Sequence, residues 1–224
     1  MATSRPTSGG DYVALIGDVR RSRKVEERAS LQTVMESALK KMNTRFRTEL
    51  AAGFVLTLGD EFQGLLSDPG SIVRVLVALE ELLDGAELRY GVGLGTVSTE
   101  LQEVALRIDG PCFHRARAAL ASGKRDDRWV TVNGFGADDA VLNGVFQLMG
   151  DIRWNWTDTQ RKTVELMRRA GTQKEVAQKR GVSISAVSKT LKSASYEPLV
   201  AAEASVATII KRYSIGGDAA EVTQ

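Results

Sequence analysis

The chain has 224 residues, of which 43% are hydrophobic and 26% are charged, and its formal net charge is +2. This length and composition fit one domain with a sizeable core and a second, smaller unit. A single cysteine and a single histidine exclude an intramolecular disulfide and a Cys/His zinc site. No apolar run of about 18 residues occurs and the start of the chain is polar, so we expect no membrane partner and a cytoplasmic location.

Charge is distributed unevenly along the chain. Residues 151–224 carry 12 Lys and Arg against 8 Asp and Glu, whereas residues 1–150 carry 18 against 20. A basic C-terminal part on a slightly acidic body favours nucleic-acid contact through the C-terminal part. Solvated helix faces are the alternative explanation of the same charges.

The first predicted element is a buried strand over about 11–17, which ends at Asp18. A basic segment follows it, and its cationic side chains are candidates to bind the phosphate groups of a ligand held at Asp18. An ordinary solvated loop is the alternative. The cationic candidates are Arg21, Arg23 and Lys24.

A hairpin over 54–66 is the next element of interest, after a predicted helix at about 26–50. Its tip carries two neighbouring carboxylates, which can hold a divalent cation when a third acid reaches them. Asp18 is the candidate third acid. The tip consists of Gly59, Asp60 and Glu61.

Three glycines alternate in the following strand, predicted over 88–99 after a helix that ends at about 84. Residues two apart share one face of a strand, so these glycines leave that face without side chains. Either close packing of another element or a bound ligand explains such a face. The glycines are Gly91, Gly93 and Gly95.

Pro111 marks the first turn of a further helix. Helix N-termini favour anions, and Arg115 and Arg117 lie just inside this one, which makes it a candidate phosphate site. The single histidine, His114, is more often structural than a ligand, and it is kept as a minor candidate for a phosphate contact or a base.

A strand over 128–133 and a helix over 137–152 complete the first domain, which we place at residues 11–152. The order strand, helix, hairpin, helix, strand, helix, strand predicts an α+β domain of the ferredoxin-like type. In the simplest form of that topology, the end of the first strand lies beside the hairpin tip. Asp18 and Asp60 should then be neighbours.

The C-terminal part predicts a small all-α unit over 153–196, with helices at 158–170, 172–180 and 184–194. The spacing of its apolar residues and a glycine between the last two helices predict a helix-turn-helix. A helical hairpin for protein contact is the alternative. The apolar residues expected inside are Val176, Ala177, Val182, Ile184, Val187 and Leu191.

The last helix of the helix-turn-helix should present short polar and basic residues to the major groove of double-stranded DNA. An apolar helix over 197–213 then has no predicted domain to bury it, so we expect it to form a homodimer. Residues 1–10 and 214–224 are expected to be disordered. The DNA-facing candidates are Ser183, Ser185, Ala186, Ser188, Lys189 and Lys192.

Over about residues 11–195 the sequence resembles the SatD family. Several separate motifs carry this resemblance in the same order along the chain. The resemblance implies an architecture more than an activity. The motifs are residues 12–19 with 22–24, 57–66, 89–95 and 109–117.

The acid-ended strand, the Gly-Asp hairpin and the arginine-bearing helix more distantly resemble class III nucleotidyl cyclases and their GGDEF relatives. This resemblance implies a palm-like core in which two carboxylates, matching Asp18 and Asp60, hold Mg or Mn ions against a nucleotide triphosphate. Such cyclases also use an Asn and, four residues later, an Arg. His114 and Ala118 stand at these positions, and Arg117 lies one residue early, which turns its side chain by about 100 degrees.

Three functional hypotheses follow. The leading one is a DNA-binding regulator whose cyclase-like domain senses a nucleotide and metal and controls the helix-turn-helix. The alternative is a metal-dependent nucleotidyl cyclase or nucleotidyltransferase with Asp18 and Asp60 as catalytic residues, and the third treats the acids as turn residues without a ligand. The metal-ligand candidates are Asp18, Asp60 and Glu61, and the nucleotide-binding candidates are Arg21, Arg23, Lys24, Gly59, Arg115 and Arg117.

Overall fold

The computed structural model describes residues 11–20, 28–57, 59–83 and 86–214. Five strands and eight α-helices are present in this part of the chain. The strands are β1 (Tyr12–Val19), β2 (Leu50–Leu56), β3 (Glu61–Leu66), β4 (Leu88–Gly95) and β5 (Val130–Asn133). The helices are α1 (Arg28–Arg45), α2 (Ile72–Leu82), α3 (Pro111–Arg125), α4 (Asp138–Trp154), α5 (Asp158–Ala170), α6 (Gln173–Arg180), α7 (Ile184–Ser193) and α8 (Tyr196–Lys211).

The five strands form one sheet in the order β2-β3-β1-β4-β5. Strand β1 lies antiparallel to both β3 and β4, and β2 lies antiparallel to β3. Helix α3 connects β4 to β5, which run parallel. The first four strands with α1 and α2 therefore have the ferredoxin-like topology, and the predicted α+β fold is confirmed.

Both faces of the sheet are covered, which explains the continuous apolar run of β1. Val13 and Leu15 point into the larger core, with residues of α1, α2 and α4. Ala14 and Ile16 point to the opposite face, where they pack with residues of α3. Strand β1 therefore lies between these two cores.

Helix α3 lies directly on the glycine face of β4. A Cβ atom on Gly91 would overlap the backbone oxygen of Ala116, and one on Gly93 would overlap the backbone oxygen of Cys112. Close packing of a helix, and not a ligand, therefore accounts for these two glycines.

Each edge strand of the sheet is hydrogen-bonded by the side chain of an asparagine. Asn43 of α1 accepts a hydrogen bond from the Phe54 backbone N–H at 2.6 Å and donates one to its carbonyl oxygen at 2.9 Å. Asn143 of α4 makes the same pair of bonds with Val132 of β5, at 2.8 and 3.0 Å. These bonds satisfy backbone groups that an edge strand otherwise leaves exposed.

Helices α5, α6 and α7 form a three-helix unit around its own apolar core. The helices begin and end within two residues of the predicted bounds. Gly171 and Gly181 end α5 and α6 in the left-handed conformation, with φ of 78° and 65°. The expected burial of Val182 and Ile184 is wrong, because both lie at the turn into α7 and are 38% and 51% exposed.

Helix α8 returns to the first domain. Leu199, Val206 and Ile210 are fully buried in the larger core, where α8 contacts α2 and α4. The expectation that this helix has no domain to bury it is therefore wrong, and the homodimer predicted from it stays a prediction. At the base of the three-helix unit, the Trp156 indole donates a hydrogen bond of 2.9 Å to the carbonyl of Ala194.

None of the helices in the described ranges has both the length and the hydrophobicity that a membrane crossing requires. The predicted basic residues Arg21, Arg23 and Lys24, and the two expected disordered ends apart from Ser214, lie outside the described residues.

Candidate functional site

Asp18 and the hairpin tip meet at one end of the sheet. In the strand register, Asp18 lies opposite Glu61 of β3 on one side and opposite Arg89 of β4 on the other. Directly opposed residues of an antiparallel pair share one face, so these three side chains lie on the α3 face of the sheet. Asp60 precedes Glu61 in the turn and acts electrostatically on Asp18.

Lys124 is the nearest cation to Asp18 in the described part of the chain. Its ammonium lies 3.0 Å from a carboxylate oxygen of Asp18, and it projects from the last turn of α3. The sequence analysis missed this residue. No local pattern in the sequence marks it, because its place beside Asp18 is set by how α3 packs on β4.

Burial raises the pKa of Asp18 above its ordinary value. The Lys124 ammonium lowers it, and the negative charge of Asp60 raises it further. A carboxylate in these surroundings gains from an additional cation, because burial disfavours its charged form.

The carboxylates could supply part of the ligand set of a metal ion, with a bound molecule supplying the rest. Among the described residues, no three His, Cys, Asp or Glu side chains converge closely enough to hold an ion by themselves. Mg²⁺ usually binds through one or two carboxylates together with phosphate oxygens and water. Asp18 and Asp60 fit that donor set, while a cage that also includes Glu61 is not assembled.

Two arginines beside the site are already engaged. Arg20 donates two hydrogen bonds to Asp127, at 3.0 and 2.6 Å, and one of 2.6 Å to Glu87. Arg89 also bonds Asp127, and the hydrogen bonds from Arg20 and Arg89 lower the pKa of Asp127. Because Asp127 follows α3, these bonds fix the end of the helix that carries Lys124.

The predicted phosphate site at the start of α3 does not join Asp18. Arg115 donates a hydrogen bond of 2.7 Å to the carbonyl of Leu94. Leu94 lies five residues along β4 from Arg89, which is about 17 Å at the usual rise of a strand. Arg115 therefore holds α3 against β4 and is engaged away from the carboxylates.

Other predicted residues have varied surroundings. His114 lies 2.9 Å from Asp109, and this hydrogen bond lowers the pKa of Asp109. Arg117 is exposed, two helical turns and about 10 Å before Lys124. Gly59 has a φ of 64° in the hairpin turn, and a Cβ there would contact no neighbour among the described residues.

The six predicted DNA-facing residues are all exposed on α7 and at its start. Ser183 caps the helix by accepting a hydrogen bond of 3.2 Å from the Ala186 backbone N–H. Val187 and Leu191 face inward, so the opposite side of α7 is open to a partner. Ile184 is exposed on the same helix, and such a side chain is suited to a thymine methyl group.

A buried charge network joins the first domain to the three-helix unit. Arg153 of α4 lies between Trp129 and Trp156, with its guanidinium carbon 4.7 and 5.4 Å from the ring centres. It pairs with Glu80 of α2 at 3.5 Å and with Glu203 of α8 at 3.7 Å.

The network continues into α5, because Arg168 makes two hydrogen bonds to Glu203, at 3.1 and 2.6 Å. Nearer the carboxylate site, the guanidinium of Arg20 lies 4.5 Å from the ring centre of Trp154 at the end of α4. Contacts therefore run from the strand that carries Asp18 to the point where α4 meets the three-helix unit.

Comparison with solved structures gives weak likenesses. A bacterial light-regulated adenylyl cyclase aligns at 12% identity and a TM-score of 0.42, over 55% of this chain and 43% of its own. The guanylyl cyclase Cya2 aligns at 14% identity and a TM-score of 0.37, over 50% of this chain and 70% of its own. This chain thus spans less than half of the light-regulated cyclase.

A regulator of polyketide synthase expression from Bifidobacterium adolescentis aligns at 14% identity and a TM-score of 0.28, over 92% of this chain and 86% of its own. Similarity of this degree assigns no role to any residue. No protein with a curated description matches the sequence. The sequence model of one family, described as the SatD family, matches residues 12–210.

Proposed function

The chain belongs to the SatD family, whose match extends over both the sheet domain and the helix-turn-helix, and we propose that the two units act together as a DNA-binding regulator. In this proposal the sheet domain binds a nucleotide with a divalent metal, and its state controls the helix-turn-helix. The single observation that carries the proposal is the exposed, capped α7 on a three-helix unit joined to the sheet domain by buried contacts.

The DNA contact is assigned to α7. Its exposed side is formed by small polar residues that allow close approach to base edges, and by Lys189 and Lys192, which can neutralise phosphates. Ile184 adds an apolar contact. Double-stranded DNA is the partner that matches this combination of small, polar and cationic side chains.

The metal and nucleotide are assigned to the end of β1. Asp18 and Asp60 would hold Mg or Mn, which when bound would neutralise charge on the nucleotide phosphates. Lys124 would then be free to turn from Asp18 to a phosphate oxygen, because the metal takes over its role as counter-ion. Arg20 would carry the change to Trp154 and hence to the start of the three-helix unit.

Fluorescence anisotropy with a random-sequence duplex tests the DNA contact without knowledge of a target, because non-specific binding depends on phosphate contacts. We expect Lys189→Ala/Lys192→Ala to weaken binding and to reduce the salt dependence, log Kd against log salt, by about 2. The matched control is Lys40→Ala/Lys41→Ala, which removes the same charge from the exposed side of α1. Equal effects of the two double variants would contradict the assignment.

The same titration with Mg or Mn and each nucleotide triphosphate tests the sensor. We expect one nucleotide to change the DNA affinity of the wild type and to leave that of Asp18→Asn unchanged. If no nucleotide with either metal changes the affinity, the sensor role is excluded.

The alternative is a metal-dependent nucleotidyl cyclase or transferase, favoured by the neighbouring positions of Asp18 and Asp60. Ala118 on α3 weighs against turnover, since it stands where such cyclases have an arginine and supplies no cation for transition-state charge. Chromatography of the same mixtures decides between the two functions. A product that forms with the wild type and disappears with Asp60→Ala would favour the enzyme.

A further inference from the structure

A cavity lies at the junction of the two units, away from the carboxylate site. It has a volume of about 550 Å³, within the range of small-molecule sites. The end of α1 and α2 form one side, and α5 and α8 form the other. A molecule bound there would touch the sheet domain and the three-helix unit at once.

The floor of this junction cavity is apolar. Val73 and Val77 of α2 face the small residues Ala204 and Ala207 of α8, which leave the space open. Phe46 and Tyr196 also line the cavity, and Tyr196 offers the accessible ring, since Phe46 is only 3% exposed. Such a lining favours a flat apolar body, which can pack on the valines and alanines and against the ring of Tyr196.

The lining of the junction cavity carries three arginines and three glutamates, and two of the arginines are its most exposed charged groups at the mouth. The guanidinium carbons of Arg45 and Arg74 lie 5.4 and 5.9 Å from the ring centre of Phe46, and their side chains are 57% and 62% exposed. Their partners, Glu81 at 3.7 Å and Glu49 at 3.2 Å, are much less exposed.

These exposed ion pairs are weak, so either arginine can turn toward an incoming anion. Glu49 would keep a partner after losing Arg74, since the Thr48 hydroxyl donates to it at 2.7 Å. An anion at the mouth therefore leaves this deeper carboxylate satisfied. Because the two arginines are more exposed than their carboxylate partners, an anionic group at the mouth is favoured over a cationic one.

The inner wall is the bidentate pair of Arg168 on α5 and Glu203 on α8. Glu203 also pairs with the buried Arg153 of α4. A ligand pressed against this wall contacts the network that sets the three-helix unit against the sheet domain.

We propose that the junction cavity is an effector site for a small aromatic carboxylate. The ring lies on the apolar floor beside Tyr196, and the carboxylate binds Arg45 and Arg74. Occupancy changes DNA affinity through the Arg168–Glu203 pair, and this last step alone rests on the proposed regulatory function.

Calorimetric titration with 2-naphthoate, 2-naphthamide and acetate tests the ligand class. We expect 2-naphthoate to bind about tenfold or more tightly than the uncharged amide, which loses the charge-assisted bonds, and acetate not to bind. Arg45→Gln/Arg74→Gln should reduce naphthoate affinity to that of the amide, whereas Lys40→Gln/Lys41→Gln, with the same charge loss on α1, should not. Ala204→Trp, which fills the floor, should abolish binding of both.

Absence of naphthoate binding, or binding unaffected by the arginine variant, would overturn the site whether or not Ala204→Trp folds. The anisotropy assay then tests the effector step, because naphthoate should change the DNA affinity of the wild type and not that of Arg45→Gln/Arg74→Gln. Naphthoate binding without a change in DNA affinity overturns that step. If the protein binds no DNA but still binds naphthoate, the regulatory function fails and the ligand site stands.

Discussion

Asp18 is the residue on which opposing electrostatic effects converge. Burial and the charge of Asp60 disfavour its ionised form, and the Lys124 ammonium at 3.0 Å favours it. The pKa is raised overall, so ionised Asp18 destabilises the fold relative to the unfolded chain. A residue that lowers the stability of the fold is common in sites that bind a ligand.

Replacing Asp18 with Asn is expected to raise Tm at neutral pH by a few degrees, since 1 kcal/mol corresponds to about 2–4 °C at this chain length. An acid with a raised pKa in the fold makes stability fall as pH increases from its unfolded pKa to its folded pKa. The difference in Tm between the variant and the wild type should therefore be small near pH 3.8, the ordinary pKa of an aspartate, and should grow as pH increases. Thermal unfolding of both proteins between about pH 3.8 and neutral pH measures this difference.

The matched control is Glu36→Gln, which neutralises an exposed carboxylate on α1 and should leave Tm nearly unchanged. An Asp18→Asn variant that is less stable than the wild type at neutral pH would show that the pair with Lys124 outweighs burial.

The proximity of Asp18 and Asp60 could be predicted from the sequence, but Lys124, the counter-ion of Asp18, could not. The apolar run before Asp18 and the glycine turn before Asp60 are local patterns, and each predicts its own element. The position of Lys124 depends on how far α3 slides along β4. That distance is set by contacts between elements, so no local pattern contains it.

Helix α3 and strand β4 form the pair of elements on which the carboxylate site depends. The glycines of β4 bring the helix backbone close to the strand, and this contact carries Lys124 to Asp18. A side chain on this face would push the helix outward along its length.

Gly93→Ala is expected to destabilise the protein by about 1–3 kcal/mol or more, because the added methyl group meets the backbone of α3, which cannot rotate away. Urea denaturation measures the change. The matched control is Gly144→Ala, since a Cβ there has no neighbour within 4 Å in the described structure. That variant should be stabilised by about 0.5–1 kcal/mol, as expected for Gly→Ala in a helix. Two variants of equal stability would contradict the packing argument.

Periodicity predicted the order and kind of these elements because each one repeats a local pattern. It failed where an apolar residue serves a turn or a surface, as with Val182 and Ile184. An apolar residue next to a glycine turn has the same spacing whether it faces the core or a partner, so the pattern alone does not separate the two cases.

At the scale of the whole molecule, Arg153 holds the two units together. It lies between two tryptophan rings and pairs with Glu80 and Glu203, all three being largely buried. The sequence marked this region only as a boundary rich in tryptophan. It did not predict the return of α8, since the surface that buries α8 exists only after the first domain has formed.

Arg153→Met is expected to lower the free energy of unfolding by about 3–5 kcal/mol, because two buried carboxylates lose a partner. Urea denaturation followed by tryptophan fluorescence measures this loss. Arg169→Met, on the exposed side of α5, is the matched control and should stay within about 0.5 kcal/mol of the wild type. A small effect of Arg153→Met would show that the tryptophan rings, and not the charges, hold the units together.

The hydrogen bond between Trp156 and Ala194 closes the base of the three-helix unit, while α4 before it and α8 after it both pack in the first domain. The three-helix unit is thus an insertion with adjacent ends, and not a terminal domain on a flexible linker. Insertions with adjacent ends are readily exchanged between proteins, because the host needs to bridge only a short gap. The helix-turn-helix can accordingly be regarded as a cassette, replaceable by another unit of similar end spacing without interrupting the core that α8 completes.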